Sequence, residues 1–154
     1  KVIYFKWEFL IEYILTTENI GLRAANRTVL SGGNQMTIVC VDDHPVTLKG
    51  LEQSVQCILP EASTHAFESA DDAFSFVKRN GCDVLISEIE LRGANGLALA
   101  RSIKRVNPAV NIIFLTVCDE KEHAREVFDI RPSGYLVKPA AKEQLEFELK
   151  NLRY

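Results

Sequence analysis

The chain has 154 residues, enough for one domain with a sizeable core and too few for two comfortable ones. Its composition, 47% hydrophobic and 25% charged, is ordinary for a globular protein. A net charge of −3 supplies no basic footprint, which argues against direct nucleic-acid or membrane binding by this chain.

The opening stretch "KVIYFKWEFLIEYIL" is apolar, but Lys6, Glu8 and Glu12 interrupt it and it is too short to span a bilayer. No small-residue cleavage site follows it, which argues against a signal peptide. The polar "SGGNQ" then leads to Met36, the only methionine. Residues 1–35 are read as an appendage of unassigned role: an upstream extension, a cloning-derived segment or a helical arm for self-association. The domain proper is read as 36–154.

From Met36 onward the pattern is regular. "MTIVCVDD" is a short apolar run, followed by a helical stripe of Leu48, Leu51, Val55 and Ile58. "EASTHAF" alternates and predicts an edge strand, and Ala70, Ala73, Phe74 and Val77 make the second stripe. "CDVLISE" predicts the third strand; Ala100, Ile103 and Val106 follow, closed by Asn107-Pro108. "VNIIFLT" and "SGYLVK" predict the last two strands, with Ala124, Val127 and Phe128 between them and Leu145, Leu149 and Leu152 behind. Nearly continuous apolar runs suit strands buried on both faces. Strands alternating with helices predict βα units, a parallel sheet and helices on both sides of it.

The four cysteines, Cys40, Cys57, Cys82 and Cys118, are scattered singly, with no CxxC pair and no histidine at ligand spacing. They are read as reduced, structural thiols of a cytosolic protein. His44 precedes a proline at a helix start and is read as a turn or capping residue, His65 as a strand residue, and His123 as a helix-surface residue.

In open parallel sheets, ligands bind beyond the carboxyl ends of the strands, where strand order switches. The first strand ends in Asp42-Asp43, the third in Glu88, the fourth in Thr116 and the fifth in Lys138. Clustered carboxylates repel, and a hard cation such as Mg²⁺ relieves that repulsion. A lysine and a threonine opposite them suit an anion with several oxygens, such as a phosphoryl group. Metal on one side and ammonium on the other is the layout of phosphoryl transfer.

Residues 36–154 resemble the receiver domain of two-component response regulators, through "VDDHP" (41–45), "LISEIELRGANGL" (85–97), "IIFLT" (112–116) and "GYLVKP" (134–139). The resemblance implies a flavodoxin-like (βα)5 three-layer sandwich whose parallel sheet has strand order 2-1-3-4-5. It implies a signalling and interaction module rather than an enzyme. Asp42, Asp43 and the Glu90 backbone carbonyl match the Mg²⁺ shell, Thr116 and Lys138 the groups that hold phosphoryl oxygens, and Tyr135 the aromatic whose rotamer follows the threonine. Lys138-Pro139 becomes a candidate cis peptide.

Glu88 stands where the family carries its phosphate-accepting aspartate. Its extra methylene moves the carboxylate by about 1.5 Å toward Thr116 and Lys138, and a pair with Lys138 could replace part of the phosphate contact. Three further departures are Val117 for a small residue, read as narrowing access, Arg92 for a proline, and Arg131-Pro132 for Gly-Ala. The expectation is an atypical receiver, not phosphorylated in the usual way, with weak or absent Mg²⁺ binding. It would belong to a transcriptional regulator whose output domain follows Tyr154. Implied partners are a histidine kinase, that output domain, or a second copy through the fourth- and fifth-helix face. Open alternatives are a domain in which Glu88 pairs with Lys138 and nothing switches, phosphorylation on Glu88 itself or a nearby acid such as Asp43, and a metal-dependent phosphohydrolase. The last is disfavoured because such enzymes want a second acid two residues beyond their nucleophile, where "VDDHP" has adjacent acids.

Overall fold

The structure is a computed structural model that describes residues 35–118 and 120–153. The appendage read at residues 1–35 therefore lies, except for Gln35, outside the described residues. Residues Asn34–Leu152 make one compact unit.

The elements run β1 (Thr37–Val41), α1 (Pro45–Ile58), β2 (Ser63–Phe67), α2 (Ala70–Asn80), β3 (Val84–Ser87), β4 (Glu90–Leu91), β5 (Ala94–Asn95), α3 (Gly96–Val106), β6 (Asn111–Thr116), α4 (Glu120–Ile130), β7 (Gly134–Val137) and α5 (Lys142–Lys150). Five strands form one sheet in the order β2-β1-β3-β6-β7. Every neighbouring pair in it is parallel. This is the flavodoxin-like architecture. The sequence reading did not anticipate β4 and β5, a two-residue antiparallel hairpin turning through Arg92-Gly93, with Gly93 at φ 70. Only glycine takes that backbone conformation at little steric cost.

The period of two along each strand divides the core. Val39, Leu85 and Ile112 stand in one row of the sheet and pack with Ala73, Val77, Ala100 and Ile103 from α2 and α3. Cys40, Ile86 and Ile113 stand in the next row and pack with Leu51 and Val55 of α1 and Leu145 of α5. Strands covered on both faces have no polar side to show, hence their unbroken apolar runs. The edge strand β2 is only half-buried along its whole length.

Three predicted stripe residues face outward: Val106 is 53% and Phe128 71% exposed, and Ala124 is exposed as well. In α4 the inward positions are Val127 and Ile130, three residues apart, and Phe128 stands about 100° round the helix from Val127. Helix ends follow local chemistry. Asn95 Oδ1 accepts from the Leu97 and Ala98 N–H groups at the start of α3. His44, read as a turn or capping residue, occupies the N-cap position of α1; its N–H closes a turn on Asp42 Oδ1, and its side chain makes no capping bond.

Candidate functional site

Register sets the site. Val41 pairs with Ser87 across β1 and β3, so Asp42 and Glu88 emerge side by side beyond them. Thr116 pairs with Val137, so Lys138 emerges next, its N–H bonded to Thr116 O at 2.7 Å. The rim is closely built at Gly96, whose N–H donates to Ile89 O at 2.7 Å. A Cβ there would collide with the Glu88 carbonyl, so only glycine allows α3 to start this close to β3.

Asp42 and Glu88 are 1% and 3% exposed. Lys138 Nζ bridges them, bonding Asp42 Oδ2 and, at 2.7 Å, Glu88 Oε2. Glu88 Oε1 accepts from the Ile89 N–H at 2.8 Å and the Glu90 N–H at 3.4 Å. Both carboxylate oxygens of Glu88 are thus occupied by the protein itself. Burial works to lower the Lys138 pKa, but its bonds to Asp42 and Glu88 outweigh it and hold the ammonium above the ordinary lysine range.

Asp42 Oδ1 accepts from the His44 N–H at 2.9 Å, a turn that points the His44 ring back over the acids. Asp43 Oδ2 accepts from the Arg92 N–H at 3.0 Å and lies 3.1 Å from Arg92 Nε. Burial acts to raise the Asp43 pKa, but the Arg92 N–H, His44 and the Arg92 guanidinium prevail and hold it below the usual carboxylate range. His44 Nδ1 approaches Asp43 Oδ1 to 3.1 Å without a hydrogen bond between them. That buried oxygen therefore keeps no hydrogen-bond partner.

The donor set fits Mg²⁺ in kind: two adjacent carboxylates, one with a buried oxygen that accepts no hydrogen bond. It fits less well in charge. Asp42, Asp43 and Glu88 face two permanent cations, Lys138 and Arg92, so the repulsion a divalent ion would relieve is already largely offset. Asp42 and Asp43 would hold the ion, and when bound it would neutralise oxygens of an incoming anion.

The remaining predicted residues lie around this cluster. Thr116 is fully buried and its Oγ1 accepts from the Cys118 N–H at 3.1 Å. Tyr135 packs edge-on against Phe114 and its hydroxyl donates to Cys118 O at 3.1 Å. Glu90 begins β4 and is exposed. Lys138-Pro139 is a cis peptide. Val117 is 64% exposed, so most of its side chain faces solvent.

Two features escaped the sequence reading. The pairing of Arg92 with Asp43 depends on the β4–β5 turn and has no spacing signature. His123, read as a helix-surface residue, has a side chain only 19% exposed, with ligand atoms of Glu90 and Cys118 close by. That corrects the reading of His123 as a helix-surface residue; Cys118, read as a structural thiol, has this imidazole close by in space.

A doubly wound sheet with acids, a threonine and a lysine at its switch-point rim defines a receiver domain of the two-component type. The family model of the response regulator receiver domain matches residues 38–150, and the chain belongs to that family. The response regulator UvrY of Escherichia coli is 26% identical over 117 residues, covering 76% of this chain and 54% of UvrY. The nitrate/nitrite response regulator protein NarP of the same organism is 29% identical over 110 residues, covering 70% of this chain and 50% of NarP. The transcriptional regulatory protein RcsB of Salmonella typhi is 28% identical over 123 residues, covering 78% and 57%. The chain thus spans about half the length of these relatives. Among solved structures, the signal receiver domain of an HD domain-containing protein from Pseudomonas fluorescens superposes with a TM-score of 0.71 at 22% identity, covering 80% of this chain and 90% of that one. A response regulator receiver domain from Clostridium thermocellum gives 0.68 at 20% identity, covering 75% and 92%. Among the described residues no helix is long and apolar enough to cross a membrane.

Proposed function

We propose that this domain is an atypical receiver that signals by binding, without phosphorylation at position 88 and without catalysing a reaction of its own. One observation carries the reading: Glu88 Oε2 lies 2.7 Å from Lys138 Nζ. The carboxylate at the acceptor position and the lysine expected to grip the phosphoryl group are bonded to each other. Glu88 Oε1 is held by two backbone N–H groups, so its oxygens are pinned rather than free to attack. The internal pair biases the domain toward its phosphate-bound arrangement, and Mg²⁺ binds weakly because Arg92 neutralises Asp43.

The partners are those of the family: a histidine kinase that docks without transferring phosphate, and an output domain of a transcriptional regulator in the cytoplasm, as the relatives' names suggest. Exposed Phe128 on α4 and Phe147 on α5, 71% and 64% exposed, support a homodimer through that face.

The test is incubation with beryllofluoride or acetyl phosphate plus Mg²⁺, followed by amide NMR and intact mass. The protein should show no stable adduct and little spectral change, whereas Glu88→Asp should regain beryllofluoride binding. An adduct on the unsubstituted protein overturns the reading. Peptide mapping would then say whether Glu88 or Asp43 carries it.

A further inference from the structure

A second cluster stands beyond the acidic one and is chemically different. Glu90 comes from β4, Cys118 from the loop after β6, and His123 from α4. A carboxylate oxygen, the thiol sulfur and an imidazole nitrogen lie within 4.8 Å of one another. Cys118 is 5% exposed. Its main chain is fixed at both ends, the N–H on Thr116 Oγ1 and the carbonyl on the Tyr135 hydroxyl, each at 3.1 Å.

The imidazole supplies an independent observation. His123 Nε2 is buried and has no hydrogen-bond partner. Buried ring nitrogens are nearly always satisfied, and an orphan calls for an occupant. The other nitrogen, Nδ1, faces Glu126 Oε1 at 3.9 Å. Glu126 is itself held by Arg101 Nη2 at 3.0 Å. A histidine with one nitrogen turned to a carboxylate and the other left open is how metal-binding imidazoles are oriented.

We propose that Glu90, Cys118 and His123 form a site for a borderline-soft divalent cation of the Zn²⁺ type, with His123 Nε2 as the nitrogen ligand. Sulfur, nitrogen and oxygen donors select such an ion over Mg²⁺, which takes oxygen alone, so this site and the Asp42–Asp43 pair answer to different metals. Ligand atoms around a tetrahedral zinc stand roughly 3.3–3.8 Å apart. Side-chain rotations of about 1 Å would close the cluster onto the ion, leaving the fourth position to water. The Cys118 thiol gives up its proton to solvent on binding, and its thiolate becomes the sulfur ligand. The bound ion ties the β4–β5 hairpin to the β6–α4 loop and to α4. Occupancy would therefore restrain the segment that joins the phosphate-site threonine to the fourth helix. The site does not depend on the reading of Glu88.

The test uses the full chain, reduced with a phosphine, titrated with Co²⁺ and then Zn²⁺. One equivalent of Co²⁺ should produce a thiolate-to-cobalt charge-transfer band that Zn²⁺ abolishes. Cys118→Ser should remove the band, and both Cys118→Ser and His123→Ala should weaken Zn²⁺ binding by at least about 10-fold. Cys57→Ser, at the exposed cysteine, and Asp43→Asn, at the acidic pair, should leave the band and the affinity unchanged. Absence of the band overturns the proposal, as does a band that survives Cys118→Ser, is lost in Cys57→Ser, or is indifferent to His123→Ala.

Discussion

Lys138 Nζ lies 2.7 Å from Glu88 Oε2 and, through the same ammonium, also holds Asp42. Lys138→Met would leave two buried carboxylates without their cation. Breaking a buried pair from one side costs about 3–5 kcal/mol, because the stranded charge stays desolvated. Urea unfolding at neutral pH should show a loss of that size. Lys138→Met introduced into Glu88→Gln should cost less, by a coupling of roughly 1–3 kcal/mol. A loss below about 1 kcal/mol in the single variant would mean that water reaches the cluster and that the pair behaves as an exposed one.

The second prediction separates Mg²⁺ affinity from stability. Arg92 is 76% exposed in its side chain, so its ion pair with Asp43 contributes little to folding. Its charge still sits beside the metal position. Arg92→Ala should change unfolding stability by no more than about 0.5 kcal/mol. It should raise Mg²⁺ affinity roughly 3- to 10-fold, the effect of removing one screened positive charge beside a divalent ion. Amide NMR shifts of Asp42 and Asp43 during a Mg²⁺ titration would measure it. Unchanged affinity would remove Arg92 as the cause of weak binding.

These contrasts mark what could be read from the sequence. The strands are legible because burial on both faces leaves runs such as Val84–Ser87 with almost no polar interruption. Asp42, Glu88 and Lys138 are legible because each directly follows such a run, and parallel register sets their ends side by side. The β4–β5 hairpin is not, since two-residue strands carry no periodicity and only Gly93 hints at a turn. The stripe read on α4 included Phe128 because apolar character alone cannot choose between facing the core and facing a partner. The Glu90–Cys118–His123 group joins residues from a hairpin, a loop and a helix, and no spacing rule covers a contact made by three separate elements.

The last prediction concerns alkaline pH and the buried thiols. Burial raises the pKa of Cys40 far above the ordinary thiol value, with Glu52 and Cys82 adding to the effect. Burial pushes the Cys82 thiol up to about 12, against a lowering hydrogen bond from the Val39 main chain. Both thiols therefore stay protonated in the folded state at pH values where the unfolded chain has lost those protons. Unfolded cysteine ionises near about 8.5, so the stabilisation is fully present below that pH and is lost as pH rises above it. Each thiol should contribute a fall of about 1.4 kcal/mol per pH unit above that threshold. Cys82→Ala removes one of them. Urea unfolding at about pH 9 and about pH 10, under reducing conditions, should show a slope shallower than wild type by about 1.4 kcal/mol per unit. Lysine and tyrosine ionisation affects both proteins alike and cancels in the difference. Parallel slopes would show that Cys82 ionises as readily in the folded chain as in the unfolded one, against its burial beneath β1 and β3.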